Sequence, residues 1–101
     1  MSERPVYQIG YNTRQELAEL RSSMTDVGGI RATPTAIALM QETGADPGEL
    51  AARYCEDCAR SGNIELIGYF LDEQREPYGS GAVHVVLDPE TRRITIYEEF
   101  Y

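Results

Sequence analysis

The chain lacks several residue types on which familiar functions depend. It has no lysine and no tryptophan, and only one histidine and two cysteines among its 101 residues. No run reaches the roughly 18 apolar residues of a membrane span, and residues 1–5 carry no apolar signal-peptide core. The single histidine has no second histidine for relay chemistry, and the sequence contains neither a nucleophile elbow nor a phosphate-binding glycine loop. We therefore expect a cytoplasmic protein that is not an enzyme, binds no cofactor and does not associate with membranes.

Negative charge is what the chain has in excess. Seventeen acidic residues against nine basic ones give a formal net charge of −8. All nine basic residues are arginines, and their scattered positions favour GC-rich codon usage over a dedicated carboxylate-binding site. Residues 1–34 balance four acids against four arginines, whereas residues 63–101 carry eight acids against three. An acidic surface repels nucleic acid and anionic membranes, so we expect no direct nucleic-acid binding.

Local signals divide the N-terminal part of the chain into a strand and three helices. Alternating apolar residues over 5–11 predict an edge strand. A capping box opens the first helix, and the other two each begin with a capping residue followed by proline and end before a glycine. The three helices are expected over residues 13–24, 34–43 and 47–61.

The period of the apolar residues changes to that of strands after the third helix. Residues 64–71 have apolar side chains on both faces, which predicts a central strand covered on both sides. Residues 82–87 and 93–100 predict an antiparallel hairpin joined by a turn at 88–91. The length supports one globular domain over residues 1–101. The predicted fold is α+β: an N-terminal strand, three helices and a three-strand antiparallel meander, with the helices packed on one face of a small sheet.

Cys55 and Cys58 form a C-x-x-C motif in the predicted third helix. Two carboxylates lie between them, and a mid-helix position lacks the positive field that stabilises a thiolate at a helix N-terminus. Both cysteines share a stripe with apolar residues, so we expect buried free thiols and no metal. His84 is the sole histidine that could add a ligand. The alternative is a small zinc-binding dimer in which two copies supply four thiolates.

Residues 35–60 resemble a helix-turn-helix, with Gly44 in the turn between the two helices. The resemblance implies a transcriptional regulator that uses these residues. Its second helix would present more acidic than basic side chains, whereas a base-reading helix needs hydrogen-bond donors. The element order is also similar to that of small toxin ribonucleases, but those enzymes need a basic surface to hold RNA.

The acidic C-terminal half predicts a protein-binding surface. Carboxylates with nearby tyrosines can imitate the phosphates of a nucleic acid and dock in the basic groove of a protein that handles nucleic acid. Small acidic phage and plasmid proteins that block CRISPR or restriction complexes resemble this chain in size and charge. The leading hypothesis is such an inhibitor or modulator, acting as a monomer or homodimer. Its candidate partner-binding residues are Asp72, Glu73, Glu76, Tyr78, Asp88, Glu90, Tyr97, Glu98, Glu99 and Tyr101.

Overall fold

The described residues form an α+β fold of three helices and one five-stranded mixed sheet. The computed structural model describes residues 11–71 and 81–98. The helices are α1 (Tyr11–Leu20), α2 (Pro34–Thr43) and α3 (Pro47–Ser61), and a 3₁₀ turn, Arg21–Ser23, extends α1. The strands are β1 (Thr25–Val27), β2 (Ile30–Ala32), β3 (Ile67–Phe70), β4 (Ala82–Leu87) and β5 (Ile94–Glu98).

The bounds of α2 and α3 confirm the capping signals. The Thr33 hydroxyl accepts a hydrogen bond from the Ala36 N–H, and an Asp46 carboxylate oxygen accepts one from the Glu49 N–H. Both helices end at a glycine in the left-handed region, where a residue without a Cβ is least strained. The predicted first helix began too late, because α1 starts at Tyr11. The strand predicted over 5–11 cannot include Tyr11, and residues 5–10 lie outside the described residues.

A hairpin that the sequence did not predict precedes α2. Strands β1 and β2 pair antiparallel around Gly28 and Gly29, whose φ angles are +61° and +87°. Positive φ at both central residues is the geometry of a two-residue hairpin turn, and glycine adopts it at low cost. The Gly29 N–H also donates to the Asp26 carboxylate at 3.0 Å. Residues 25–32, between the first and second predicted helices, therefore form a pair of short strands.

The strand order is β1-β2-β5-β4-β3, with β2 parallel to β5 and the other neighbours antiparallel. The prediction of a purely antiparallel three-strand meander is therefore inexact, since the last three strands belong to a larger mixed sheet. Strand β3 lies at an edge and not at the centre. Its burial alternates, and Phe70 is 58% exposed.

Helices cover both faces of the sheet, which corrects the prediction of helices on one face. The larger core cluster joins α2 and α3 to one sheet face through residues such as Leu39, Tyr54 and Val85. A smaller cluster on the other face joins Leu17 of α1 to Val86. Val85 and Val86 are neighbours on β4 and point to opposite faces. The nearly continuous apolar run of β4 is explained by these two layers.

Candidate protein-binding surface

Four of the ten residues predicted to bind a partner lie within the described residues, and these four divide between two ends of the sheet. At one end β4 turns into β5 through residues 88–93, and we call this the hairpin end. At the other end β3 finishes, β4 begins and β5 finishes, and we call this the β3–β4 end. Strand β4 runs between them, and its six residues span roughly 20 Å at the usual rise per residue. The described members of the set, Asp88 and Glu90 toward one end and Tyr97 and Glu98 toward the other, therefore do not form one surface.

The hairpin end has no excess of negative charge, because its acids Asp88 and Glu90 are offset by Arg21 from the α1 side and by Arg92 and Arg93 of the turn itself. Arg21 donates from Nε to Asp88 Oδ2 at 2.8 Å and from Nη2 to Asp88 Oδ1 at 3.0 Å. A third contact, 3.0 Å long, joins Arg21 Nη1 to Glu90 Oε2. Asp88 is only 1% exposed. The prediction that Asp88 presents its carboxylate to a partner is wrong, because the group is buried and paired; Glu90 remains exposed.

Hydrogen bonds also hold the Asp88 carboxylate in its ionised form. Burial by itself raises the pKa of Asp88, but donation by Arg21 and by the backbone N–H of Glu90, together with the Arg21 charge, outweighs it. The net result is a pKa below the usual 3.8. A shallow pocket of about 210 Å³ lies beside this group, between Ala18, Arg21, Pro89 and Glu90. It is smaller than the roughly 300–1,000 Å³ of typical ligand sites.

Tyr97 is not a surface aromatic residue, which corrects a second prediction. It is 1% exposed and belongs to the cluster beneath α1. Its ring meets the ring of the half-buried His84 edge to face, with centroids 5.2 Å apart and planes at 83°. Alternation along β5 turns this side chain toward α1, away from solvent. Tyr97 therefore belongs to the core.

The β3–β4 end keeps one described acid, Glu98, which is half-buried and lies opposite Val83 on β4. The Leu71 N–H donates to the Gly81 carbonyl at 2.7 Å, so the two residues that flank segment 72–80 lie next to each other. This hydrogen bond continues the β3–β4 pairing. The remaining predicted residues lie outside the described residues: Asp72, Glu73, Glu76, Tyr78, Glu99 and Tyr101.

Arginine side chains of the described residues are mostly engaged within the fold. Arg60 pairs with Asp57 at 3.3 Å, and Arg93 pairs with Asp26 at 2.6 Å. The guanidinium of Arg53 lies over the Tyr69 ring, 4.9 Å from its centroid. These contacts leave few cations to offset the exposed carboxylates elsewhere.

Tyr69 of β3 forms a small polar cluster with Asp57 and Arg53 of α3, which the sequence does not predict. Its hydroxyl donates to Asp57 Oδ2 at 2.6 Å. Burial, followed by this hydrogen bond and the Asp57 charge, raises the pKa of Tyr69 above its usual 10.0. The phenol consequently stays protonated as a donor. Only the pairing of β3 with β4, which faces Tyr69 toward α3, brings these residues together.

The cysteines are less buried than predicted. Cys55 is exposed, and Cys58 is half-buried against the larger core cluster. The core-facing stripe of α3 consists of Leu50, Ala51 and Tyr54, and Cys58 continues it one turn further on. Cys55 follows Tyr54 by one residue, which rotates it about 100° away from that stripe. No group of three or more metal-ligating side chains occurs within residues 11–71 and 81–98.

The helix-turn-helix alternative gains little from the structure. Arg53 and Arg60 are exposed on α3, but Arg31 lies on the opposite face of the sheet. Ile30 and Ala32 of β2 pack with α2 and α3, so Arg31 between them points to the opposite face. There its Nη2 donates to the Arg21 carbonyl at 3.0 Å. The described residues thus provide no continuous basic surface beside α3.

Comparison with known proteins adds no relative: no protein family, curated protein or solved structure matches the chain. Of the helices in the described part of the chain, none combines the length and apolar content that crossing a bilayer requires.

Proposed function

We propose that the protein is a non-enzymatic binding module that docks an acidic surface on a basic, nucleic-acid-binding surface of a partner protein. Carboxylates occupy the positions that phosphates take in the partner's groove, and the protein inhibits or modulates the partner by competing with nucleic acid. Electrostatic attraction of this kind accelerates association and selects against acidic partners. Direct binding to nucleic acid is not part of the proposal, because the net charge of −8 opposes it.

The proposed surface is the β3–β4 end. The observation that carries the proposal is the hydrogen bond between Leu71 and Gly81, since it keeps the two residues that flank segment 72–80 together at the end of the sheet where Glu98 lies. Residues 72–80 and 98–99 together hold five acids and one arginine. The proposed contact residues are Asp72, Glu73, Glu76, Tyr78, Glu98, Glu99 and Tyr101.

The distribution of cations also supports this end. Arg21 neutralises the hairpin end, and Arg93 is held by Asp26. A partner with a basic surface would therefore meet less repulsion and more attraction at the β3–β4 end. The biological setting that fits such a molecule is an anti-defence protein of a phage or plasmid, of the anti-CRISPR or antirestriction type. That assignment rests on size, charge and the absence of a catalytic motif in the sequence.

The experiment is an affinity capture from a bacterial lysate with three forms of the full chain. The test variant carries Glu73→Lys and Glu76→Lys at the proposed surface. The control variant carries Glu19→Lys and Glu90→Lys, which change the net charge equally; both residues are exposed, and Glu90 lies at the hairpin end. The captured proteins are identified, and their association rates are measured at low and high salt, with and without competing DNA.

The proposal expects a basic partner that the control variant binds as well as the wild type does. The test variant should associate at least tenfold more slowly at low salt, with a much smaller difference at high salt. DNA should compete with the wild type. Equal loss in both variants, or binding indifferent to DNA and salt, would contradict the proposal. If no basic partner is recovered, the acidic surface serves solubility alone.

A further inference from the structure

Helix α3 has an exposed face built from two parallel stripes. One stripe consists of residues with small side chains, and the other consists of residues whose charges alternate in sign. The residues of the small stripe are Gly48, Ala52, Cys55 and Ala59, and those of the charged stripe are Glu49, Arg53, Glu56 and Arg60. All eight are exposed. Leu50, Ala51 and Tyr54 bury the other side of the helix, so the backbone positions of both stripes lie on its exposed side, although the Arg53 side chain reaches the Tyr69 ring on β3.

The order of charges in the second stripe is complementary to its own reverse. When a second α3 runs antiparallel about a point between Tyr54 and Cys55, Glu49 lies opposite Arg60 of the other copy. Arg53 then lies opposite Glu56, and the two-fold axis repeats both pairs. A parallel two-fold arrangement would instead put the two charged stripes on opposite flanks of the pair, where they could not form ion pairs with each other. The charge pattern thus selects one geometry for a second copy of this chain.

The contacts that the four charged-stripe side chains make within one copy leave Glu49 and Glu56 available for ion pairs with a second copy. No ion pair joins Glu49 or Glu56 to any described residue. Arg60 lies 3.3 Å from Asp57 in an exposed pair, which contributes little stability. If Arg60 turned to a second copy, Asp57 would keep the Tyr69 hydroxyl as a donor. Arg53 stacks on Tyr69 through its face, and its N–H groups point outward along the edges of the guanidinium plane.

The small stripe allows two helices to come close together. Its spacing of four, three and four residues is that of a coiled-coil seam. Glycine, alanine and cysteine protrude little, so the helix axes can approach to about 8 Å, the lower end of usual helix packing. At that separation the charged side chains beside the seam can span the gap. Both stripes therefore favour the same arrangement of two helices. The small residues are in close contact in the seam, and the charged residues form ion pairs beside it.

We propose that α3 is the interface of an antiparallel two-fold homodimer. A helix of 15 residues is roughly 22 Å long, so the contact is small and the dimer dissociates readily. Arg53 brings this interface next to β3 through its contact with Tyr69, but neither proposal depends on the other. We infer that a second copy of the chain binds this face of α3, because the charges of one copy are complementary to those of an antiparallel second copy.

The test measures the mass of the full chain in solution by sedimentation equilibrium over a hundredfold range of concentration. Three variants are compared with the wild type. Glu49→Lys with Glu56→Lys makes the stripe entirely basic, and Arg53→Glu with Arg60→Glu makes it entirely acidic. The control, Glu19→Lys with Glu90→Lys, changes charge as the first variant does but away from α3. Circular dichroism verifies that every variant is folded.

The wild type and the control should dimerise at high concentration, and each stripe variant alone should remain monomeric. An equimolar mixture of the two stripe variants should form a heterodimer, because the basic stripe now faces an acidic one. A wild type that stays monomeric throughout would overturn the proposal. Two stripe variants that fail to associate when mixed, although both are folded, would overturn it as well.

Cys55 provides a second measurement because it lies in the seam next to the two-fold axis. Copper phenanthroline with oxygen should join Cys55 of two copies, with the two electrons and two protons of the thiols passing to oxygen. Cross-linked dimer is expected in Cys58→Ser and not in Cys55→Ser, and Glu49→Lys with Glu56→Lys should reduce it. If a chelator disperses the wild-type dimer and either cysteine variant abolishes it, a metal bridge is responsible and the charge-paired interface is wrong.

Discussion

Arg21 and Asp88, 67 residues apart in the chain, form a two-pronged ion pair that joins the end of α1 to the β4–β5 turn. The Arg21 side chain is 21% exposed and that of Asp88 is 1% exposed, so the carboxylate lies in the interior and the guanidinium at its edge. Asp88 also accepts the Glu90 N–H at 2.9 Å, which shapes the turn. One buried acid therefore secures both a long-range contact and a local one.

Replacing Asp88 by Asn should destabilise the protein. The amide keeps the shape of the carboxylate but loses its charge, and it cannot accept both Arg21 donors on equal terms. We expect a loss of about 2–4 kcal/mol in the free energy of unfolding, measured by urea denaturation at pH 7. Glu90→Gln is the control, because its ion pair with Arg21 is exposed and should contribute less than about 1 kcal/mol. Equal effects of the two variants would contradict the assigned role of Asp88.

The same pair should make stability depend on pH at the acid end. The pKa of Asp88 is below 3.8 in the folded protein, so ionised Asp88 stabilises the folded state at any pH above its unfolded pKa. That contribution is lost as the pH falls through the folded pKa. The difference in unfolding free energy between the wild type and Asp88→Asn should stay constant from pH 7 to 5 and shrink below about pH 4. A difference that grows on acidification would show that the pKa is raised.

Tyr54→Phe should measure how much the hydrogen bonds of the Tyr54 hydroxyl contribute to the stability of the packing of α3 on the sheet. The Tyr54 hydroxyl donates to the Glu65 carbonyl at 2.5 Å and accepts the Leu87 N–H at 3.1 Å, at a site where Tyr54 is 3% exposed. Removing the hydroxyl takes a partner from both backbone groups, and we expect a cost of about 1–3 kcal/mol. Tyr69→Phe removes one bond to the half-buried Asp57, which solvent can satisfy, and should cost less. Urea denaturation of both variants checks this order.

Features determined by neighbouring residues were predictable from the sequence. The helix starts at Thr33 and Asp46 and the ends at Gly44 and Gly62 depend on a few adjacent residues, and the structure confirms them. Strands β4 and β5 are recognisable by their apolar period, although β5 begins at Ile94, one residue later than predicted.

Features determined by distant residues were not predictable in the same way. Burial of Asp88 requires Arg21, and coverage of the second sheet face requires the parallel pairing of β2 with β5. Strands β1 and β2 have three residues each, too few to establish a period. Cys55 shows that a shift of one position along a helix can change burial, because Cys55 is exposed although it directly follows the buried Tyr54.

The unpredicted hairpin supplies a test of backbone conformation. A Cβ added at Gly29 would meet nothing within 4 Å, so any cost of Gly29→Ala comes from its φ of +87°. We expect a loss of about 1 kcal/mol in the free energy of unfolding. Gly29→Asn should cost less, because asparagine tolerates the left-handed region better. If alanine and asparagine behave alike in urea denaturation, positive φ is not what this turn requires.

Thiol reactivity separates the two cysteines. Cys55 is exposed and Cys58 is half-buried against the core, so a thiol reagent should modify Cys55 quickly and Cys58 slowly in the native protein. Cys55→Ala should remove the fast phase and leave the stability within about 0.5 kcal/mol of the wild type. Cys58→Ala should remove the slow phase and cost about 1 kcal/mol, because it deletes a group packed on the core. The measurement uses dilute protein, so that a second copy does not cover α3. If the reagent then modifies both thiols at the same rate, Cys58 does not pack on the core as described.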